Sequence, residues 1–180
     1  MTDTASDAFS LELNYALSVY GQPGVAEACL LLQDRAGVDV VVLLHAMYLL
    51  DAKGVALDEQ ALASAEARVG SWRREVTAPL RALRAALKPG FAGLPPASVE
   101  QTRQKIKDAE REAEFAAFAA LCGDAETHRQ ESLAATHRAG QLLDRVLLLY
   151  APTVPAASQH DMAVQAAVLR LRALLDNETR

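Results

Sequence analysis

Residues 38–50 read VDVVVLLHAMYLL, a run that is apolar on almost every face. Its β-branched start, VDVVV, suits a buried strand as well as a helix. The rest of the chain offers no partner strand, and a lone buried strand would leave its backbone N–H and C=O groups unpaired. The run is therefore read as a helix. Being apolar all round, it belongs at the centre of a bundle. Asp39 suits its N-cap, because a carboxylate accepts the exposed N–H groups of a first turn.

The neighbouring segments follow helical spacing. Upstream, a first helix is expected over Asp7 to Tyr20, ended by Gly21-Gln22-Pro23. A second helix starts with Pro23 at its first position, where a missing N–H costs nothing. It carries Val25, Cys29 and Leu32 on one face to about Arg35, and Gly37 stops it. Downstream, Asp58 opens DEQALASAEARV, which Gly70 closes, and residues 71–90 (SWRREVTAPLRALRAALKPG) form a further helix. The stretch PGFAGLPP, residues 89–96, is the densest in proline and glycine and the best candidate boundary. Ser98 with Gln101 reads as a capping box for a long helix to Cys122. A helix from Ala125 to Tyr150 carries Leu133, Thr136, Gly140, Leu143, Leu147 and Tyr150 as a stripe, and the last helix carries Val164, Val168, Leu171 and Leu175. The expected architecture is all-α, a helical bundle of about eight helices. Five fall in a region over 1–90; three fall in a region over 97–180, packed on the first within one compact domain.

Composition narrows the class. With 51% apolar residues in 180, wholesale disorder is excluded and a real core is affordable without staples. No run approaches the ~20 apolar residues of a bilayer helix, and His45 interrupts the longest. The start, MTDTASDAFSLEL, is acidic and polar, with no secretory pattern. Cys29 and Cys122 sit among apolar neighbours and read as buried free thiols. A cytoplasmic protein is expected.

Charge is uneven. Residues 1–65 carry two basic and nine acidic side chains, 66–107 nine and three, 108–180 seven and eleven. The middle is a basic island whose simplest partner is the acidic remainder of its own fold, or of a sister chain. Within it, taking Arg73 as origin at 100° per residue, Arg84 falls at ~20°, Lys88 at ~60°, Arg81 at ~80° and Arg74 at ~100°. Glu75, at ~200°, cannot neutralise that arc. Trp72, Val76, Leu80, Leu83 and Leu87 form the adjoining apolar face. Pro79 removes one N–H and crowds the carbonyl one turn back, so the helix kinks or restarts there, and only the 79–88 half then keeps its phase.

The words YALSVYGQPGVAEACLLLQDRAGVDVVVLLHAMYLLDAKGVAL (residues 15–57) and WRREVTAPLRALRAALK (72–88) resemble a family of short bacterial proteins known only as a domain of unknown function. The resemblance spans Tyr15 to about Lys88. It implies a mostly helical, cytoplasmic bacterial protein and carries no established activity. The chain departs from the family pattern at Leu13 and Tyr48, where a Trp is usual, and at Val41, where an Asn is usual.

No motif names a reaction. His128 and Glu131 share a helical face, and Glu110 and Glu114 lie one turn apart, but di-metal bundles need Glu-x-x-His on two helices, so solvated acidic faces are the simpler account. His137 lies opposite His128. His45 suits a core or interface position better than a general base, His160-Asp161 reads as a cap, and Asp34 and Asp39 as helix end and cap. Phosphate loops, nucleophile elbows and HExxH are missing. No catalytic residue, metal or cofactor is expected.

Five like charges on one arc need compensation, and arginine's planar fork binds carboxylate or phosphate bidentately. The function expected is a non-enzymatic interaction or regulatory module whose Arg73, Arg74, Arg81, Arg84 and Lys88 engage an acidic protein partner or a second copy in a homodimer. The alternative is a small-molecule or anion-binding protein, an enzyme included, with a pocket between the N-terminal helices. Nucleic acid is disfavoured by the net charge of −5. Membrane docking is disfavoured too, since Trp72 is the one bulky aromatic on the basic helix.

Overall fold

A computed structural model describes residues 4–122, 135–151 and 161–178, and every element among them is helical. The apolar run 38–50 forms most of α3 (Val40–Lys53), with α1 (Thr4–Tyr20) and α2 (Val25–Ala36) before it and α4 (Glu59–Trp72) after it. The Asp39 side chain accepts from the backbone N–H of Val41 at 2.8 Å, and Asp58 accepts from Ala61 at 2.8 Å, so both expected caps form. Every residue from Val41 to Leu50 is buried. Helix α3 touches α1, α2, α4, α6 (Pro96–Cys122), α7 (Ala135–Tyr150) and α8 (Met162–Glu178), which makes it the axle of the molecule.

Several boundaries differ from expectation for local reasons. Pro23 does not start α2. Gly24, at φ 78°, stands between it and Val25, a left-handed conformation that suits glycine. The capping box at Ser98 does not form, because α6 begins two residues earlier: Pro95 O accepts the N–H groups of Ser98 and Val99. Gly70 does not close α4. The helix runs on through a π-helical turn (Arg73–Thr77) into α5 (Ala78–Ala86), giving seven rods among the described residues where about eight helices were expected. Ala78 N–H bonds Arg73 O, five residues back, and this wider turn delivers Pro79 to the first turn of α5, where its missing N–H is harmless.

Residues 87–95 fold α5 back against α6, so the proline- and glycine-rich stretch is a hairpin turn inside one core. The last three helices are not a bundle of their own: α6 packs on α1, α3, α4 and α5, α8 packs chiefly on α2, and α7 on α4 and α8. The expected stripe on α8 holds, with Val164, Leu171 and Leu175 buried, and Asp161 caps it through Ala163 N–H at 2.8 Å. Among the described residues no helix is long and apolar enough to cross a membrane. The expected helical stretch 125–134, with His128, Glu131 and Leu133, and also His160, lies outside the described residues.

Candidate functional site: a polar-rimmed cavity

The structure does not bring the five predicted cations together on one face. The π-turn inserts about one residue into the spiral and sets everything after it back by on the order of 100°. Arg73 therefore turns inward towards α4, the start of α3 and α7. Its Nη2 donates to Glu66 Oε1 at 2.6 Å, its Nη1 to Gly37 O at 3.1 Å, and its Nε lies 3.4 Å from Asp39 Oδ2. The guanidinium also stacks over the Tyr150 ring at 5.3 Å, and the Tyr150 hydroxyl donates to Glu66 Oε2 at 2.5 Å. Burial and the bond to Glu66 push the Tyr150 phenol well above its usual range.

Arg81 and Arg84 face α6 instead. Arg81 Nε donates to Glu110 Oε1 at 2.9 Å and its Nη2 to Glu114 Oε1 at 2.8 Å. Arg84 donates to the same Glu110 through Nε at 2.5 Å and Nη2 at 3.2 Å. Glu110 is only 6% exposed. Burial alone would raise its carboxyl, but the Arg84 and Arg81 bonds outweigh burial and hold it below the usual carboxylate range. At Glu114 the balance reverses: burial dominates the single arginine contact and the carboxyl is raised. The same Glu110 bond raises Arg84 further, so it stays charged. Arg74 and Lys88 are exposed and make no ion pair among the described residues. Glu110 and Glu114 are thus counter-ions of arginines, not the solvated acidic face expected of them, and three of the five predicted cations, Arg73, Arg81 and Arg84, are paired within their own chain.

These ion pairs border a cavity of about 340 Å³. Its apolar walls come from Leu13, Ala16 and Leu17 of α1, Val40, Val41 and Leu44 of α3, and Phe115 and Phe118 of α6. Leu30 and Gln33 of α2 and Tyr20 of α1 complete the lining. Lys107 and Arg111 of α6 join Arg81, Arg84, Glu110 and Glu114 on the polar side. Lys107 has no acidic partner among the described residues, whereas Arg111 reaches Asp108 at 3.4 Å and Glu112 at 4.0 Å. Leu17 and Leu30 are exposed, so the cavity opens to solvent between α1 and α2. The volume lies at the small end of the ~300–1,000 Å³ typical of ligand sites, and an apolar body with a few convergent polar groups is their usual make-up.

A second polar cluster runs from the core to its edge, with Glu12 and His45 buried and Cys122 half-buried. His45 Nδ1 lies 2.6 Å from Glu12 Oε1, with both side chains buried, and Cys122 Sγ donates to Glu12 Oε2 at 3.1 Å. Burial, with the nearby Glu12 carboxylate, pushes the Cys122 thiol up to about 12, so it is held protonated and is no nucleophile. Glu12 was not singled out by the sequence reading; its position on α1, facing the lone histidine of α3, was the available signal. Asp34 is exposed and Asp39 is committed to capping and Arg73, so they are not a working carboxylate pair. Among the described residues no group of three or more His, Cys, Asp or Glu is placed to hold a metal ion.

Residues 13–121, more than half of the chain, match the family described as "Protein of unknown function (DUF2390)". The chain belongs to that family. The DUF2390 region runs from the middle of α1 to the end of α6, further than the Tyr15–Lys88 resemblance, and contains every residue that lines the cavity. Leu13, the first residue matched, and Val41 both line the cavity. No curated protein and no solved structure matches the chain.

Proposed function

We propose that the protein binds a small molecule in the cavity between α1, α2, α3, α5 and α6. The observation that carries this is the lining itself: a 340 Å³ space with apolar walls on three helices and a cluster of ionised groups held at one side. Keeping Glu110 nearly buried between two arginines is costly unless its geometry is fully satisfied, and a stability role alone would be served as well by apolar residues. The basic-flank reading, with an acidic partner or a second copy, keeps only Arg74 and Lys88 as unengaged groups and is the weaker of the two. Free thiols at Cys29 and Cys122 support a reducing compartment, the cytoplasm.

The test is uptake of N-phenyl-1-naphthylamine, an uncharged apolar fluorophore. Saturable enhancement near one probe per chain is expected, reduced at least fivefold by Ala16→Phe, which fills the floor, and by Leu30→Trp, which narrows the exposed mouth. Equal uptake by Leu30→Trp and Ala16→Phe with wild-type circular dichroism overturns the site.

A further inference from the structure

The polar and apolar linings of the cavity are not mixed; they are ordered along α6. Lys107, Glu110, Arg111, Glu114, Phe115 and Phe118 recur at helical spacing and make one stripe. At 1.5 Å rise per residue the stripe is about 16 Å long, with cations at its N-terminal end and phenyl rings at its C-terminal end. Across from the charged half stand Arg81 and Arg84 of α5. Four cations against two carboxylates leave the lining with a surplus of two positive charges.

The arginines also keep spare donors. A guanidinium has five N–H groups in a fixed fork. Arg81 spends Nε on Glu110 and Nη2 on Glu114, Arg84 spends both on Glu110, and Nη1 of each takes part in no hydrogen bond among the described residues. Both side chains are about a quarter exposed, at 25% and 27%, so those donors are within reach of a bound molecule. Lys107 adds a full ammonium with no acidic partner among the described residues.

Resting on the small-molecule reading above, we infer that the ligand is an amphipathic oxyanion: a compact aliphatic or aromatic body ending in one carboxylate or phosphate group. The anionic head lies at the Lys107 end, against Arg84 and Arg111, and the body lies along Phe115 and Phe118 towards Leu44. Glu110 serves as the internal counter-ion that keeps Arg81 and Arg84 aligned, and so acts as a positioning residue. A neutral or cationic amphiphile of the same shape would cover the half-buried Nη1 groups of Arg81 and Arg84 without giving them an acceptor and would forgo the attraction of the exposed Lys107 ammonium, which is what discriminates against it.

Isothermal titration of the full chain with octanoate, octyl phosphate, octanol and octylammonium tests this. The expected order places one of the two anions at least tenfold tighter than octanol, with octylammonium weakest. The stronger of octanoate and octyl phosphate names the head group. Lys107→Ala and Arg111→Ala, both at exposed positions, are expected to weaken the anion at least threefold each and leave octanol unchanged. Octanol binding as tightly as both anions, or anion affinity indifferent to both substitutions, overturns the head-group inference while the cavity itself stands. Failure of all four amphiphiles, together with probe uptake indifferent to Leu30→Trp, overturns the cavity and the inference with it.

Discussion

Glu110 concentrates the energetics of the polar rim in one side chain. It accepts three hydrogen bonds from two guanidinium groups while almost wholly buried, and bonds to charged groups are worth ~1.5–3 kcal/mol rather than the ~1 kcal/mol of neutral ones. Glu110→Gln keeps the shape but loses the charge, and is expected to cost about 1–3 kcal/mol in urea unfolding at pH 7. The pH dependence has a definite sign. Because its native carboxyl titrates below the ordinary value of about 4.3, its stabilisation is whole above that value and drains as pH falls through the lowered native one. Glu114, raised by burial, works oppositely: its ionisation disfavours the native state above its raised value, and that penalty is relieved as pH falls. Unfolding midpoints measured from pH 7 to pH 2.5 should therefore fall more shallowly below about pH 4 in Glu110→Gln than in the wild type. An identical acid limb would remove Glu110 from the account.

Among elements, the α4–π–α5 rod decides where the arginines point. An ideal wheel puts Arg73 and Arg84 side by side, but the wide turn ahead of Pro79 sends one to α3 and α7 and the other to α6. Pro79 carried the hint of a phase break; whether the break would be a kink, a restart or a wide turn depends on what packs against each half. Gly70 is the companion detail. It lies inside α4, and a Cβ there would sit 2.7 Å from Glu66 Oε1, the oxygen that Arg73 holds. Gly70→Ala gains about 1 kcal/mol of helix propensity. It also drives the Glu66 carboxylate off Arg73 and Tyr150, losing charge-assisted bonds worth ~1.5–3 kcal/mol. The loss wins, so Gly70→Ala should lower Tm by about 2–6 °C in calorimetry, against the rise that an unencumbered helix interior would show. Local features of this kind (Asp39, Asp58 and Gly37 at helix ends, the all-round apolar α3) were legible because they depend on neighbours within one turn. The Arg81 and Arg84 partners were half-legible: two arginines three apart and two glutamates four apart flank a short turn, a pattern that a hairpin brings into register.

For the whole molecule, the all-α class and the central place of α3 were readable from periodicity alone. The assembly was not. That α8 would settle on α2 rather than complete a bundle with α6 and α7 depends on matching surfaces separated by more than a hundred residues. The cavity depends on five helices at once. Sequence reasoning named a pocket between N-terminal helices but had no means of adding α6, which supplies the charged stripe. The two cysteines sit in separate layers of this assembly, Cys29 buried within α2 and Cys122 half-buried at the end of α6 beside Glu12. Burial pushes Cys29 up to about 12 as well, so at pH 8 each thiolate is scarcer than in a free cysteine by roughly three orders of magnitude. Iodoacetamide should leave the buried Cys29 untouched in the native chain and mark the half-buried Cys122 far more slowly than a free cysteine, with mass spectrometry of the two peptides timing each event separately. The chain thereby carries two built-in stopwatches for its own breathing, one per layer, with no engineered label.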